Sequence, residues 1–332
     1  MTGIPGWAGR IGVVVVNYNG GDLVLRCLET LSRQTLAPAR VVVVDNGSTD
    51  GSAEAIRHQY PNVELISAGR NLGFAAGNNL GVRSLVDCDW IALLNPDAFP
   101  DPRWLEALAR AAVTRPEYQL FGSRMLMADD PSLLDGVGDA YHVSGLHWRM
   151  GHGLPAKDAY QTQMEIFAPC AAAAMYRRDV WLEANGFDED YFCYAEDVDL
   201  GFRLRLLGYR ALYVPEAVVK HKGSATTGRR SDFAVFHGGR NLIWTFVKNF
   251  PGAWFWLFLP MHVVGNLAIA CVHGPASFKG RLEALVRLPG VWRKRRAIQS
   301  RRTVSYGELR RVLSRGLLDP IRAKTARKRP AN

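Results

Sequence analysis

The chain has 332 residues, of which 48% are hydrophobic, and a formal net charge of +10 at pH 7. This length and composition provide a large core and exclude a chain that is disordered throughout. The five cysteines are scattered, odd in number and without a Cys-x-x-Cys pair. That pattern excludes a disulfide framework and a zinc knuckle, and it favours a reducing, cytosolic setting.

The N-terminus carries no targeting pattern. Its first ten residues, MTGIPGWAGR, lack the basic and then apolar order of a signal peptide, and the apolar run 11–16 is too short to be the core of one. We therefore expect the catalytic part of the chain to remain in the cytoplasm.

The first third of the chain alternates two hydrophobic patterns. β-branched and other apolar runs predict strands at 11–17, 40–45, 63–67 and 90–95. Helical spacing of apolar residues predicts helices over 22–34, 52–60 and about 75–85. The first of these helices is expected to begin with Asp22 as its cap. This order predicts an α/β fold whose Rossmann-like, mostly parallel central sheet carries helices on both faces.

A polar loop follows each predicted strand. In a parallel sheet the carboxyl ends of the strands meet at one edge, which is where α/β folds bind ligands. The loops read NYNGG, DNGSTDGS, AGRNLG and NPDAF in chain order. Because no G-x-G-x-x-G follows the first strand, nicotinamide and flavin chemistry are excluded, and the Gly-rich loop of a sugar-phosphate nucleotidylyltransferase is missing as well.

Two aspartates stand at strand ends in these loops. Asp45 is placed to accept a hydrogen bond from a pyrimidine ring N–H while residues 17–19 hold the base from the other side. The residues after it, 46–50, are equally typical of a turn that caps the next helix. Asp97 is suited to Mg²⁺ or Mn²⁺ at a diphosphate, with a simple turn as the alternative.

Further candidates lie in the second half of the chain. Residues 134–145 read as turns and short strands, and residues 170–221 predict a strand, a helix, a loop, a helix and a strand. Glu196 and Asp197 fall at the N-terminal edge of the second of these helices, where a charged cap is the alternative use. His221 follows the last strand and offers a second metal ligand, with 222–224 near the phosphates.

The basic residues are concentrated in the tail. Residues 276–332 carry 17 Lys and Arg against 3 Asp and Glu, a net charge of +14, and the rest of the chain is at −4. Before the tail, residues 253–272 are uncharged and about long enough to span a bilayer. Because polar residues interrupt this run, we expect an interfacial hairpin bent near Pro260 on an anionic membrane surface, and a buried core hairpin is the alternative. Nucleic acid is not expected as a partner, because the aromatic residues are segregated from the basic ones.

Six segments, taken together in order and spacing, resemble the family 2 inverting glycosyltransferases of the GT-A fold. Within that family they look most like the rhamnosyltransferases of cell-envelope polysaccharide assembly, and the resemblance covers about residues 11–249. The segments are VVVVNYNGGDLVLRCLETLSRQT, VVVVDNGSTDGS, RNLGFAAGNNLGV, LLNPDA, GFDEDYFCYAEDVDLGFRLRLLGYR and FHGGRNLIWTFVKN.

The resemblance implies a role for each matching residue. Asp45 would bind the base of the sugar nucleotide, and Asp97 and His221 would hold Mg²⁺ or Mn²⁺. Asp197 would be the catalytic base, with Glu196 beside it. The other residues implied to contact the donor are Asn17, Tyr18, Asn19, Asn46, Arg70, Asn71, Gly73, Asn95 and Ser224.

Some positions match the family less closely. NPD stands where many members have Asp-x-Asp, and the amide of Asn95 is a weaker cation ligand than a carboxylate. The residues that match motif positions without a specific role are Asp188, Glu189, Arg240 and Asn241.

The prediction for the whole chain is a metal-dependent inverting glycosyltransferase at the cytoplasmic face of the inner membrane. It would move a sugar, with rhamnose favoured, from dTDP-rhamnose or a UDP-sugar to a lipid-linked or glycan acceptor. The catalytic domain is predicted over 1–250 and the membrane-associating helices over 251–332. A non-catalytic membrane-bound scaffold and a soluble enzyme acting on a small acceptor are the alternatives. The linkage and the oligomeric state are left open.

Overall fold

The first third folds as the predicted alternation in a computed structural model, which describes residues 4–223, 231–316 and 318–320. Its elements are β1 (Ile11–Asn17), α1 (Gly21–Ser32), β2 (Arg40–Asp45), α2 (Ser52–Gln59), β3 (Glu64–Ser67), α3 (Gly73–Ser84) and β4 (Trp90–Leu94). Strands β3, β2, β1 and β4 are parallel neighbours in that order. Their carboxyl ends therefore lie along one edge.

The expected cap of α1 is wrong. Gly20 occupies the N-cap position, and Asp22 lies in the first turn. The N–H of Gly21 instead donates to Asp50 Oδ2 at 2.8 Å. A carboxylate from the neighbouring loop thus satisfies an N–H that a local cap would otherwise bind.

The second third extends the sheet beyond β4. Its elements are β5 (Ala98–Pro100), α4 (Trp104–Thr114), β6 (Leu120–Met127), β7 (Leu134–Gly136), β8 (Asp139–Tyr141), β9 (His147–Arg149), β10 (Met164–Ile166), β11 (Ala173–Arg177), α5 (Arg178–Glu183), a 3₁₀ turn (Glu189–Tyr191), α6 (Glu196–Leu206) and β12 (Ala211–His221). The main strand order is β10-β12-β6-β11-β4-β1-β2-β3, with β11 antiparallel between β4 and β6, and β8 pairs with β9 separately.

Alternate residues of the central strands face two separate cores. Val13 and Val15 of β1 pack with α1, α2 and α4, and Val14 and Val16 pack with α3, α5 and α6. The side chains of a strand alternate between the two faces of its sheet, so a run of valines is buried on both. The predicted mostly parallel sheet with helices on both faces is confirmed.

Among the described residues after the sheet, the chain forms five helices. They are α7 (Asp232–Asn249), α8 (Gly252–His273), α9 (Pro275–Val286), α10 (Leu288–Ser300) and α11 (Tyr306–Val312). The predicted bend near Pro260 is wrong, since α8 continues through this residue and the chain turns at Gly274. A proline removes one helical hydrogen bond, and the buried contacts of α8 on both sides of Pro260 hold the helix together.

One face of α8 lies along the rest of the protein. Phe255, His262 and Asn266 are buried on this face, and His262 Nδ1 donates to Ser144 O at 2.9 Å. The polar residues that interrupt the apolar run therefore point inward. By length and composition α8 could cross a membrane, and 22% of its apolar window is buried, so a core hairpin does not describe it.

Candidate active site

The end of β1 fixes the predicted base-binding aspartate. Asn17 lies opposite Asp45 in the β1–β2 register and is fully buried. Its Nδ2 donates to Asp45 Oδ1 at 3.1 Å and to Ser52 Oγ at 2.8 Å. Ser48 N–H donates to the other carboxylate oxygen at 3.3 Å. Asp45 is thus held at the strand end by the side chain of Asn17 on β1 and by a backbone N–H of the loop after β2.

A second set of amide contacts joins the loops after β2 and β3. Asn46 Nδ2 donates to Asn71 Oδ1 at 3.0 Å and to Gly73 O at 3.1 Å. Gly73 has φ +84°, and a Cβ there would lie 2.6 Å from the carbonyl oxygen of Phe192. Only glycine fits this approach. Arg70 lies exposed beside these residues.

The loop after β1 completes this edge. Asn19 has φ 51°, donates its N–H to Ser48 Oγ at 2.9 Å and accepts the N–H of Thr49 at 2.8 Å. Tyr18 beside it is half-buried. The structure therefore brings together eight of the predicted donor-binding residues: Asn17, Tyr18, Asn19, Asp45, Asn46, Arg70, Asn71 and Gly73. Ser224 lies outside the described residues.

The predicted metal ligands meet where β12 pairs with β5. His221 lies opposite Ala98 in this register, and its Nε2 is 3.3 Å from Asp97 Oδ1 and 3.3 Å from Asn95 Nδ2. Asn95 Oδ1 is buried without a hydrogen-bond partner among the described residues. Carboxylate, amide and imidazole atoms that converge in this way fit a divalent cation of the Mg²⁺ or Mn²⁺ type.

Three residues behind His221 were missed by the sequence analysis. His221 Nδ1 is 2.8 Å from Asp135 Oδ2, and Arg149 Nη1 donates to the same oxygen at 2.8 Å. His152 Nδ1 is 3.3 Å from Asp135 Oδ1. This carboxylate fixes the orientation of the imidazole so that Nε2 faces Asp97, as partners of metal-binding histidines commonly do. Asp135 lies in a segment that reads as turns, where no periodicity singles it out.

The charges around His221 favour a cation. Although burial opposes protonation, hydrogen bonds to Asp135 and Asp97 raise the pKa of His221 to about 9. For Asp135, burial by itself would raise the pKa. The charge of Arg149 and hydrogen bonds to His152 and His221 instead hold this pKa well below its usual range. The two carboxylates therefore stabilise positive charge at Nε2, whether that charge is a proton or a divalent cation bound to the neutral ring.

The predicted base lies at the start of α6. Asp197 accepts the N–H of Ala171 on Oδ2 at 3.0 Å and the N–H of Val198 on Oδ1 at 2.8 Å, and it is half-buried. Glu196 is 5% exposed, and burial and the charge of Asp197 raise its pKa well above its usual value. These effects favour the neutral form of Glu196, and Asp197 is the more exposed member of the pair.

Asp197 has a second acidic neighbour that the sequence did not indicate. Ligating atoms of Asp139, Cys170 and Asp197 lie within 4.8 Å of one another. Burial, followed by the charge of Asp197, raises the pKa of Asp139 to about 8. Arg149 Nη2 is 2.8 Å from Cys170 Sγ. This guanidinium already supplies positive charge, and a thiol does not suit a hard cation, so we do not assign a metal to this group.

The loop before α6 has an unusual backbone. Phe192 (φ 62°, ψ −63°) forms a γ-turn in which Cys193 N–H donates to Tyr191 O at 2.7 Å, and Tyr194 and Ala195 also have positive φ, 73° and 62°. Positive φ is costly for residues other than glycine, so contacts from the surrounding structure must hold this loop.

Helix α7 supplies those contacts. Asn241 Nδ2 donates to the carbonyl oxygens of Tyr191, Cys193 and Tyr194 at 3.0, 2.9 and 2.7 Å. Arg240 Nη2 donates to Tyr191 O at 2.8 Å. Both residues thereby acquire a structural role in positioning Glu196 and Asp197.

Asp188 and Glu189, the other motif positions, have protein partners of their own. Asp188 pairs with Lys248 and Lys294, and Glu189 accepts from Asn79 Nδ2 at 3.0 Å. These contacts give both residues a structural role that does not require them to bind the sugar nucleotide.

Comparison with known proteins agrees with this geometry. The family model for glycosyl transferase family 2 matches residues 12–182. The N-acetylglucosaminyl-diphospho-decaprenol L-rhamnosyltransferase of Mycobacterium tuberculosis is 34% identical over 242 residues, which cover 65% of this chain and 77% of that protein.

Solved structures share the fold at low sequence identity. The chain superposes on GalNAc-T7, solved with UDP, GalNAc and Mn²⁺, with a TM-score of 0.61 at 15% identity, covering 85% of this chain and 54% of the other. It superposes on the mannosyltransferase PcManGT of Pyrobaculum calidifontis, solved with GDP-Man and Mn²⁺, with a TM-score of 0.54 at 20% identity, covering 90% and 86%. The family match, the relative and the GT-A neighbours together show that this chain is an enzyme of glycosyltransferase family 2, of the rhamnosyltransferase-like type.

Proposed function

We propose that this enzyme is a metal-dependent, inverting glycosyltransferase that moves rhamnose from a nucleoside-diphosphate donor to a lipid-linked acceptor in cell-envelope polysaccharide synthesis. One observation supports it most directly: the neighbouring residues Ala171 and Ala172 connect the proposed cation site with the proposed base. Asn95 N–H donates to Ala172 O at 2.9 Å, and Ala171 N–H donates to Asp197 Oδ2 at 3.0 Å. A sugar diphosphate bound at the cation site would therefore present its sugar close to Asp197.

The spacing of the strands supports the donor assignment. β1 lies between β2 and β4, so the ends of β2 and β4 are about 10 Å apart at the usual strand separation. That distance suits a nucleoside diphosphate whose base contacts Asp45 and whose diphosphate lies at Asp97. The relative from Mycobacterium tuberculosis is named for transfer of L-rhamnose to a diphospho-decaprenol lipid, which favours rhamnose as the sugar and a lipid-linked acceptor here.

The proposed mechanism needs one base. Asp197 accepts the proton of the acceptor hydroxyl while the oxygen of that hydroxyl attacks the anomeric carbon of the donor sugar. The bond to the diphosphate breaks on the opposite face, so the anomeric centre inverts. Asp97, His221 and Asn95 would hold Mg²⁺ or Mn²⁺, which stabilises the charge on a departing diphosphate. Asp135 keeps the His221 ring oriented during the reaction.

The test is release of nucleoside diphosphate from a panel of nucleotide sugars with a polyprenyl-diphosphate-sugar acceptor. We expect turnover with dTDP-rhamnose, loss of activity with a chelator and recovery with Mn²⁺ or Mg²⁺. No release from any donor would support a non-catalytic scaffold instead. In calorimetric titration, tight binding of UDP without binding of dTDP would overturn the choice of donor.

We also propose that α8 and α9 lie in the membrane interface at the cytoplasmic face of the inner membrane. Their outward faces are apolar, and basic side chains flank them at positions such as Lys279 and Arg287. The exposed apolar residues include Trp256, Leu257, Val264, Leu267, Phe278, Leu282 and Leu285. Such a surface binds anionic membranes by burying apolar area and by attraction to headgroups.

Membrane association is best tested in the intact chain. The predicted division at residue 250 remains a proposal. Arg295 of α10 donates to Val247 O and Phe250 O at 2.7 and 2.6 Å. Truncation after residue 250 would remove these contacts and expose buried groups. We expect the wild type to pellet with membranes and to resist release by salt. Replacing exposed Leu257 and Val264 with serine should shift it to the soluble fraction. A wild type that stays soluble without detergent would favour the soluble enzyme with a small acceptor.

A further inference from the structure

Arg281 of α9 is a buried cation with few partners. Its side chain is 6% exposed, and Nη1 donates to Ser277 O at 3.1 Å and to the Ser277 hydroxyl. Nε and Nη2 are buried without a hydrogen-bond partner among the described residues. A buried charge without compensation is strongly unfavourable, so this guanidinium calls for an anion.

Three other cations that are wholly or partly buried in the described residues have partners. Lys248 pairs with Asp188 and Asp199, and Arg149 pairs with Asp135. Arg295 donates to two backbone carbonyls. In the described parts of the chain, Arg281 forms no ion pair within 4.0 Å, and burial lowers its pKa. Arg281 differs from these residues because it lacks an ion-pair partner and also leaves two of its three guanidinium nitrogens without a hydrogen-bond acceptor among the described residues.

Arg281 lines a pocket of about 260 Å³ between α7, α8 and α9. Val235, Leu242 and Ile269 contribute apolar walls, and Ser277 lies in the first turn of α9, a helix of 12 residues. The helix dipole favours an anion at such a terminus. A Cβ at Gly239 would lie 2.6 Å from Arg281 Nη1, so glycine leaves the guanidinium its room.

The surroundings indicate the rest of the ligand. The pocket is smaller than the roughly 300–1,000 Å³ that encloses a drug-sized molecule. It would therefore hold a head group and a few carbons, and the remainder would lie outside. Phe278 and Leu282 of α9 are 48% and 63% exposed and belong to the apolar surface that α8 and α9 form. A chain that leaves the pocket finds an apolar surface to cover.

We propose that this pocket binds the phosphate group of a membrane amphiphile through Arg281 and Ser277, with the first carbons of its apolar chain against Val235, Leu242 and Ile269. A prenyl phosphate and a phospholipid headgroup share this chemistry. Access from a bilayer rests on the membrane association proposed above, whereas the site itself does not require sugar transfer. The opposite side of α7 carries Arg240 and Asn241, so the ligand would lie about one helix diameter, roughly 10 Å, from the loop before α6.

Thermal unfolding of the full chain in neutral detergent, followed by tryptophan fluorescence, tests the site. The probes are farnesyl phosphate and dihexanoylphosphatidic acid, with farnesol and inorganic phosphate as partial ligands. We expect either amphiphilic phosphate to raise Tm by about 3 °C or more at saturation, and each partial ligand to do less. The probe that acts at the lower concentration identifies the source of the phosphate.

Two substitutions at Arg281 separate binding from folding. Arg281→Met should abolish the response and leave the ligand-free Tm equal or higher, because an uncompensated buried charge is removed. Arg281→Lys keeps the charge and should retain part of the response. Lys279→Met removes an exposed cation from the same helix and should respond like the wild type.

The proposal is overturned if neither amphiphilic phosphate raises Tm or if Arg281→Met responds like the wild type. A large fall in the ligand-free Tm of Arg281→Met would also overturn it, because the guanidinium would then be a structural group. The probes are soluble and the readout is not turnover. Failure here is therefore distinct from failure of the transferase or of membrane association.

Discussion

Two acidic clusters lie on either side of Arg149 and carry opposite charge states. In the cation cluster (Asp97, Asp135 and His221), Asp135 is buried, yet Arg149 and two histidines keep its pKa low. In the base cluster (Asp139, Glu196 and Asp197), burial raises the pKa of Asp139 to about 8 and that of Glu196 well above its usual value. Burial is thus common to both clusters, and the number of cationic partners decides the charge.

This difference gives each cluster a distinct task in the proposed reaction. The cation cluster has two carboxylates around a site of positive charge, as a divalent ion requires. In the base cluster burial favours the neutral forms of Asp139 and Glu196, which limits the repulsion on Asp197. Substitutions that act on one cluster should therefore leave the function of the other intact, and four experiments test this separation.

The largest effect is expected from Asp197→Asn. This change removes the base while keeping its shape, so turnover should fall by roughly 10²–10⁴-fold. Calorimetric titration should still show nucleotide binding with Mn²⁺, because the cation cluster is unchanged. Turnover like that of the wild type would contradict the assignment of Asp197.

Asn241→Leu should disturb the base cluster from a distance. It removes three hydrogen bonds that hold the loop before α6, and a small misplacement of a catalytic group can cost about 10²-fold in turnover. Gln299→Leu is a matched control, since it removes amide contacts to the carbonyls of Lys248 and Asn249 at the other end of α7. Equal losses in both variants would indicate general destabilisation of α7.

Asp135→Asn should affect the cation cluster. Losing the partner of a metal-binding histidine typically costs about 10–100-fold in metal affinity. We expect a higher Mn²⁺ concentration for half-maximal turnover, with activity recovered at saturating Mn²⁺. Asp139→Asn, across Arg149, serves as the control and should leave the Mn²⁺ dependence unchanged. A shift of the same size in both variants would show that the clusters are not separate.

The last experiment concerns pH and measures stability, with no expected change in turnover. Asp139 has a folded pKa of about 8 against 3.8 for the free group. The stability it contributes is therefore fully present below about pH 4 and is lost as the pH rises to about 8. Between pH 5 and 8 the wild type should lose more stability than Asp139→Asn, by at most about 1.4 kcal/mol per pH unit. Denaturant unfolding at several pH values measures this, and parallel curves for the two proteins would contradict it.

The sequence determined the sheet and the strand-end residues of the site. Valine runs and helical spacing specify the first strands and helices, and parallel strands bring their carboxyl ends to one edge. Asp45 and Asp97 could therefore be placed together from their positions in the chain alone. The local pattern placed Asp197 at a helix start, and its predicted role as the base came from the resemblance to family 2 glycosyltransferases.

Tertiary structure alone decided the residues that set the charge of the site. Asp135, Asp139 and Arg149 come from short strands in a segment without periodicity, and the contacts of Asp135 with His221 span 86 positions. Their pKa values depend on burial and on neighbours that the chain order does not reveal.

The same holds for the C-terminal helices. The composition of residues 253–272 indicated a membrane surface, but which face of α8 is inward depends on packing. His262 and Asn266, which interrupt the apolar run in the sequence, bind the protein and leave an apolar face outside. Arg281 is one of 17 basic residues in the tail by composition, and only the crossing of α7, α8 and α9 buries it without a counter-charge.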